Sequence, residues 1–213
     1  MAHIVAIFSF FFIYPFFVYQ AEAELISGRE STCFQTVASW SPELDIGSDM
    51  AIVYSVDPSF QQRVTQWRDR GYTVGFMTGI SWGNYDAYYG AGDSFKRDEV
   101  QTRKDGTLFM HGNSKTVGYN VPSPSYIAFI KDYITPAIDA GIQSVFFEEP
   151  EFWAESGWSA SFQREWQSFY GEPWQAPDSS VDAQYRASKL KYELYFSALR
   201  EVISYAKQYA SGK

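Results

Sequence analysis

The segment FFEEPEFW, residues 146–153, places three glutamates within four positions, between two pairs of aromatic residues. Cleavage of a glycosidic bond needs one carboxyl group to protonate the leaving oxygen and a second to act as nucleophile or as base for water. Aromatic rings can stack on the apolar faces of sugars. A solvated turn between a strand and a helix explains the same residues more simply. The segment therefore indicates either a carbohydrate site or an ordinary polar turn.

Adjacent residues of a strand point to opposite faces, so Glu148 and Glu149 are not expected to be the two catalytic partners themselves. In retaining enzymes those partners face each other across the sugar, about 5–5.5 Å apart. One glutamate could enter the mouth of a barrel while the other braces a loop or a basic residue. A proton donor also needs a raised pKa, from apolar surroundings or a neighbouring carboxylate. The segment thus offers one catalytic residue and leaves the second to be found.

Apolar runs that suit buried strands alternate along the chain with amphipathic segments that suit helices. This alternation predicts β-α units and a parallel sheet. Ligands of such folds bind at the carboxyl ends of the strands, where Trp40, Trp82 and residues 148–153 lie. No glycine-rich phosphate loop is present, which makes a nucleotide-binding fold the weaker interpretation. The predicted strands are 36–40, 50–56, 72–79 and 142–149, and the predicted helices are 59–70, 126–141, 159–170 and 182–209.

Composition narrows the class of protein and of partner. The chain has 213 residues, 46% hydrophobic and 20% charged, which predicts one globular domain. Its net charge of −8 argues against a nucleic-acid partner and fits neutral or cationic ligands better. The single cysteine, Cys33, allows no intrachain disulfide and is expected to be buried. With His111 the one histidine beyond residue 3, a zinc site built on several histidines is not expected, nor is any metal or cofactor.

Residues 1–23 have the layout of a secretory signal peptide. An apolar run of 16 residues, 4–19, is followed by Ala21-Glu22-Ala23, an A-x-A cleavage pattern. The run is short for a transmembrane helix, although an uncleaved anchor is the alternative. We therefore expect a secreted protein with no membrane contact after cleavage, whose domain is residues 24–213.

Three further segments accompany FFEEPEFW: TGISWGNY (78–85), GYNVPSPSYIAFIKDYITPAIDAG (118–141) and AESGWSASFQREWQSFYGEPW (154–174). Together they resemble uncharacterised proteins related to clan A glycoside hydrolases, nearest to family 42-type β-galactosidases. The resemblance covers roughly residues 36–210. It implies a (β/α)₈ barrel whose acid/base glutamate ends strand four, usually as Asn-Glu and often followed by proline. Glu149 matches that acid/base, and Glu148 stands where the family has the asparagine that contacts the sugar 2-hydroxyl.

The resemblance also implies a nucleophile at the end of strand seven, which would lie beyond Lys213. A (β/α)₈ barrel takes about 250 residues, whereas the pattern supplies about four strands by residue 149. The expected fold is therefore α/β, parallel β/α units of an incomplete TIM (β/α)₈ barrel, the N-terminal half only. Such a half is expected to be inactive by itself, and its partner would be a second half-barrel or a missing C-terminal half.

Several other residues are candidates for contact with a carbohydrate. The rings of Trp40, Trp82 and Trp153 could stack on sugars, although core packing explains any one of them. Tyr119 and Asn120 could bind through hydroxyl and amide, or simply form a turn. Glu151 is a candidate contact that could equally face solvent or a helix start. His111 lies in a predicted polar loop and could also take part in the site. The charged run 96–105 is expected to be a solvated loop.

Two functions remain open from the sequence. One is a glycosidase-like barrel that hydrolyses O-glycosidic bonds when intact. The other is a non-catalytic carbohydrate-binding or scaffold protein that keeps the aromatic residues of the cleft. In both cases the partner is a carbohydrate.

Overall fold

A computed structural model of the protein describes residues 29–83, 85–90, 92 and 95–213. The predicted signal peptide, 1–23, lies outside the described residues. Within them, no helix combines the length and the apolar character that crossing a bilayer requires.

Four parallel strands form one sheet in the order of the chain. They are β1 (Cys33–Thr36), β2 (Met50–Val53), β3 (Thr73–Gly79) and β4 (Ser144–Glu148). Each crossover moves one place in the same direction, and parallel crossovers are right-handed, so the connecting helices lie on one face of the sheet. This is the winding of a (β/α)₈ barrel rather than of a doubly wound sheet. The predicted fold class, parallel β/α units of an incomplete barrel, is confirmed.

The helices are α1 (Phe60–Arg68), α2 (Asp86–Tyr89), α3 (Pro124–Asp139), α4 (Ala160–Tyr170) and α5 (Val181–Ser211), with a 3-10 turn at Arg97–Glu99. The three longest each begin after a serine whose hydroxyl accepts a hydrogen bond from a backbone N–H of the first turn: Ser123, Ser159 and Ser180. Gly171 ends α4 in the left-handed conformation, with φ of 70°. These boundaries follow the sequence prediction closely.

The predicted strand 36–40 is wrong, because β1 is Cys33–Thr36. After Thr36 the backbone N–H of Ala38 donates to the Thr36 hydroxyl oxygen at 3.0 Å, a local bond that turns the chain away from the sheet. The Ala38 carbonyl then accepts from the Trp67 indole at 3.0 Å. The expectation of a buried Cys33 is also wrong, since Cys33 is exposed on β1, which lies at the edge of the described sheet beside β2.

The main core lies between the sheet and the helices on its covered face. Strand residues such as Val53, Val74 and Phe76 are fully buried there. The apolar face of α1 and that of α3 pack onto them, and α5 packs along α3. Since α1, α3 and α5 each commit one face to this core, the carboxyl ends of β3 and β4 are held in a fixed relation.

The long polar stretch between β3 and α3 folds over those carboxyl ends. Short antiparallel bridges join Val100 to Asn120, Thr102 to Leu108 and Met110 to Gly118. The stretch therefore returns on itself as a compact cover, and it brings side chains from two of its passes to the end of β4.

Candidate active site

The backbone after β4 is tied to the continuation of β3. Ile80 N donates to the Glu148 carbonyl at 3.0 Å, so the ladder runs to the last residue of β4. The hydroxyl of Ser81 donates to the Glu149 carbonyl and accepts from Glu151 N at 3.1 Å. One serine thereby holds both sides of the turn that carries the three glutamates.

Glu149 occupies the left-handed region of backbone space, with φ of 50°. Because β4 ends at Glu148, the direction of the Glu149 side chain is set by this turn and not by strand alternation. Its carboxylate accepts a hydrogen bond from the indole Nε1–H of Trp82. A non-glycine residue in this conformation costs about 1–2 kcal/mol and is found disproportionately at functional sites. The turn thus brings together two residues that the sequence analysis selected.

Glu148 is half-buried at the end of β4. Burial raises the pKa of its carboxyl, and the neighbouring charge of Glu149 raises that pKa further. Tyr54, just past the end of β2, has a raised pKa for the same reasons: burial first, then the charges of Glu148 and Glu149. The carboxyl ends of β2 and β4 therefore share a region of negative potential.

An aromatic surface adjoins the glutamates; we use this name for Trp82, Phe109, His111, Tyr119 and Trp153. The Trp82 and His111 rings stack with centroids 3.6 Å apart, and Phe109 and Trp153 stack at 5.3 Å. Tyr119 joins the two stacks, since it lies 6.2 Å from His111 and meets Trp153 edge-on at 5.5 Å. Trp153 is the most open member, 42% exposed. A continuous set of rings beside carboxylates suits the two sides of a sugar, apolar faces and hydroxyl edges.

Glu151 is exposed beside this aromatic surface. The pKa of the Tyr119 hydroxyl is raised by burial and then by the charges of Glu151 and Glu149. Two carboxylates of the same turn, Glu149 and Glu151, therefore both raise the pKa of Tyr119. Their carboxylates can accept hydrogen bonds from hydroxyl groups or pair with a cation.

Gln101 is fully buried, and its side chain supports the site through hydrogen bonds to backbone groups. Its Nε2 donates to the carbonyls of Glu151 at 2.8 Å and Asn120 at 3.0 Å, and contacts the Tyr195 hydroxyl at 3.2 Å. Its Oε1 accepts from Trp153 N at 2.9 Å. The expectation of a wholly solvated loop over 96–105 is therefore wrong, because this side chain points inward and satisfies backbone groups of the turn that carries the glutamates.

The structure separates two predicted contact residues from the rest. Asn120 is fully buried under the aromatic surface, and its carbonyl accepts from Gln101 and from the Tyr195 hydroxyl. Trp40 lies elsewhere: its indole donates to Asp45 at 3.2 Å and the guanidinium of Arg70 covers its ring at 3.7 Å. Arg70 comes just before β3, at the amino end of the strand, so Trp40 is placed with α1 and not with the glutamates.

Four residues of the site were not predicted from the sequence: Ser81, Gln101, Phe109 and Tyr54. For Gln101 the one available signal was its neighbour Val100, the single apolar residue in a charged run, which is also fully buried. Among the residues that the structure describes, no group of three or more histidine, cysteine, aspartate or glutamate side chains could hold a metal ion.

Comparison with known proteins gives structural neighbours alone. No protein-family model matches the chain, and no curated protein sequence does. The glycoside hydrolase domain of PelA from Pseudomonas aeruginosa is similar with TM-score 0.40 and 11% identity over 79% of this chain and 56% of that one. Aspergillus fumigatus Ega3, solved in complex with galactosamine, is similar with TM-score 0.39 and 9% identity over 82% and 62% respectively. The chain thus spans about three fifths of the length of these solved structures.

Replacing Gln101 by leucine should lower the free energy of unfolding by about 3 kcal/mol, because it leaves buried backbone groups of the turn unpaired. Urea denaturation measures this change. The matched control is Gln163→Leu on α4, whose Nε2 donates to a single carbonyl, that of Trp158. Equal losses in the two variants would show that Gln101 has no special supporting role.

Glu148→Gln should increase the free energy of unfolding at neutral pH. A carboxyl whose folded pKa is raised above its ordinary 4.5 destabilises the fold increasingly as pH rises from that value through the raised one. The gain should therefore vanish below about pH 4.5. Denaturation at a series of pH values tests it, with the exposed Glu155→Gln as control. A gain that persists in acid would contradict the raised pKa of Glu148 as its cause.

Glu149→Gly should increase the free energy of unfolding by up to about 1 kcal/mol, since glycine adopts a positive φ without strain. Ser55 has φ of 63° and provides a matched control outside the turn. Ser55→Gly and Glu149→Gly should stabilise the protein similarly in chemical denaturation. A clear loss of stability in Glu149→Gly alone would mean that the Trp82 hydrogen bond outweighs the backbone strain.

Proposed function

We propose that the carboxyl ends of β3 and β4 form a carbohydrate site of glycoside hydrolase type, with Glu149 as the acid/base residue of O-glycosidic bond hydrolysis. The observation that carries this proposal is the contact between the two halves of the site: Glu149 accepts from the indole of Trp82, whose ring begins the aromatic surface. Sugar recognition needs both parts side by side, polar groups for hydroxyls and rings for C–H faces.

In this proposal the sugar lies along the aromatic surface, with the open ring of Trp153 as a stacking platform. Glu149 and Glu151 receive hydroxyl groups at its edge, and their charges both act on the nearby Tyr119 hydroxyl. The half-buried Glu148 holds its proton to higher pH than an ordinary glutamate, so it can donate a hydrogen bond that a carboxylate cannot. Hydrolysis also requires a second carboxyl across the bond. The family resemblance assigns that group to a seventh strand, in a complete barrel to which these four strands contribute.

The negative charge of the site limits the class of glycan that it can bind. Glu148, Glu149 and Glu151 lie within four residues on a chain of net charge −8. Like charges repel across a low-dielectric cleft, so a polyuronate is disfavoured, while neutral glycans and amino sugars fit the site. Secretion, with cleavage after Ala23, agrees with a glycan partner and remains part of the proposal.

A second function, binding without hydrolysis, is favoured by one specific contact. The indole Nε1–H of Trp82 donates to Glu149 and holds its side chain beside the aromatic surface, where it can accept hydrogen bonds from sugar hydroxyls. Accepting such bonds needs no proton transfer and no second carboxyl group, both of which hydrolysis requires. The two functions therefore share one binding surface and differ in whether Glu149 transfers a proton to the bound glycan.

Affinity for a panel of neutral, amino-sugar and uronate polymers tests the shared surface. Trp153→Ala should weaken binding about fivefold, since one lost aromatic contact is worth roughly 1 kcal/mol. Phe169→Ala is the matched control, because Phe169 on α4 is also an exposed aromatic ring, 46% against 42%. Equal affinity of wild type and Trp153→Ala for every bound polymer would contradict the proposed surface.

Release of reducing sugar from the bound polymers by the complete barrel then separates hydrolysis from binding. Glu149→Gln keeps the size of the side chain and its acceptor oxygen but cannot transfer a proton. It should abolish any hydrolysis while leaving affinity within about threefold. Unchanged turnover in this variant would remove Glu149 from the acid/base role.

A further inference from the structure

Lys191 is a buried lysine on α5, 7% exposed, directed at the loop between β4 and α4. Its ammonium donates to the carbonyls of Ala154 at 2.8 Å and Trp153 at 3.1 Å. Its stem passes close to the loop as well, since a Cβ added to Gly157 would lie 3.7 Å from Lys191 Cε. A buried lysine with backbone carbonyls as acceptors is an uncommon arrangement.

Lys191 and Gln101 bind the two backbone groups of Trp153, its carbonyl and its N–H respectively. The Gln101 side chain accepts from Trp153 N at 2.9 Å, and the Lys191 ammonium holds the Trp153 carbonyl. The peptide groups before and after the Trp153 Cα are therefore both fixed by buried side chains from other elements. With its backbone fixed on both sides, the Trp153 ring is directed onto Phe109 and against Tyr119.

The buried charge of Lys191 has a cost in stability that its two hydrogen bonds must offset. Burial lowers the pKa of Lys191 to about 8 from its ordinary 10.5. A lowered lysine pKa means that the charged form costs folding free energy. That cost is present in full below pH 8 and disappears as pH rises from there past 10.5. An apolar side chain of similar length would avoid the cost but could not hold two carbonyls.

We infer that Lys191 is a positioning residue: its protonated ammonium fixes the carbonyls of Trp153 and Ala154 by charge-assisted hydrogen bonds, orients the Trp153 ring within the aromatic surface, and holds that ring less firmly when the amine loses its proton and the two bonds become neutral ones. Any effect of this ring orientation on glycan affinity rests on the proposed function. The coupling between Lys191 and the Trp153 ring does not, and it can be measured without any glycan.

The titratable groups on the elements around Lys191 are engaged elsewhere. On the same loop, Glu155 pairs with Arg103 at 3.2 Å, and Glu151 acts on Tyr119. Asp178, in the connection from α4 to α5, pairs with Lys104. One turn along α5, the Tyr195 hydroxyl donates to the Asn120 carbonyl at 2.9 Å, and burial raises its pKa. Burial is the one cause that lowers the pKa of Lys191, so its titration is expected to be simple.

The test is a pH titration of the Trp153 indole N–H resonance in the ¹⁵N-labelled protein, from about pH 6.5 to about pH 9.5. The chain has seven tryptophans, and loss of one resonance in Trp153→Phe assigns the right one. In wild type the resonance should shift with a midpoint near the Lys191 pKa, about 8. In Lys191→Met this shift should be absent.

Two further variants make the result specific. Lys191→Arg stays protonated over this range, so its Trp153 resonance should remain near the low-pH wild-type position. Lys189→Met, an exposed lysine of the same helix, should titrate as wild type does. A flat wild-type titration, or an unchanged midpoint in Lys191→Met, would overturn the inference. The flat titration is observed on the wild-type protein, so this outcome would overturn the inference even if Lys191→Met failed to fold.

Glycan affinity provides the separate readout. If a polymer binds, wild-type affinity should fall as pH rises through about 8, while Lys191→Arg should bind with little pH dependence over the same range. Absence of binding by any polymer would contradict the proposed function and leave the resonance titration standing. A flat titration together with pH-independent binding would contradict the role of Lys191 and leave the glycan site standing.

Discussion

The side-chain amide of Gln101 is the interaction on which the whole candidate site depends. It satisfies a carbonyl and an N–H of the turn after β4 while also binding the Asn120 carbonyl. Three stretches of chain, around residues 101, 120 and 151–153, are thereby joined in a place that water does not reach. Buried polar networks of this kind define one conformation when every member is satisfied. The open ring of Trp153 and the exposed carboxylate of Glu151 can be rigid because the backbone groups of their own turn are paired with Gln101.

The backbone strain at Glu149 is offset by hydrogen bonds to the turn in which it lies. Glu149 takes an unfavourable backbone conformation, and Ser81, Trp82 and Gln101 make up for it through bonds to the same turn. A sequence selected for stability alone would place glycine at 149. Retention of a strained glutamate in this turn, with a buried lysine of α5 bound to the loop that follows it, is a pattern expected at functional sites.

Local patterns predicted the elements well, and long-range contacts were where prediction stopped. The caps at Ser159 and Gly171 and the apolar run that became β4 depend on residues a few positions apart, so the sequence alone places them. The start of β1 at Cys33 depends on its pairing with Met50 of β2. The burial of Gln101, the position of Trp40 beside Arg70 and the turn at Glu149 depend on partners 30 to 70 residues away. Periodicity carries no signal for such contacts, whereas the family resemblance led directly to Glu149.

The connections from Ser81 and Trp82 to Glu149 span 68 and 67 residues of chain. Closing so long a loop costs conformational entropy before any contact of the site can offset it. The Trp82 indole can therefore meet its carboxylate only after β4 has docked beside β3, so this pair should be among the last contacts to form in refolding. The environment of Trp82 then marks the completion of the native state, and a chain that had collapsed without β4 in place would have helices and an apolar core but would lack the contacts of the candidate site.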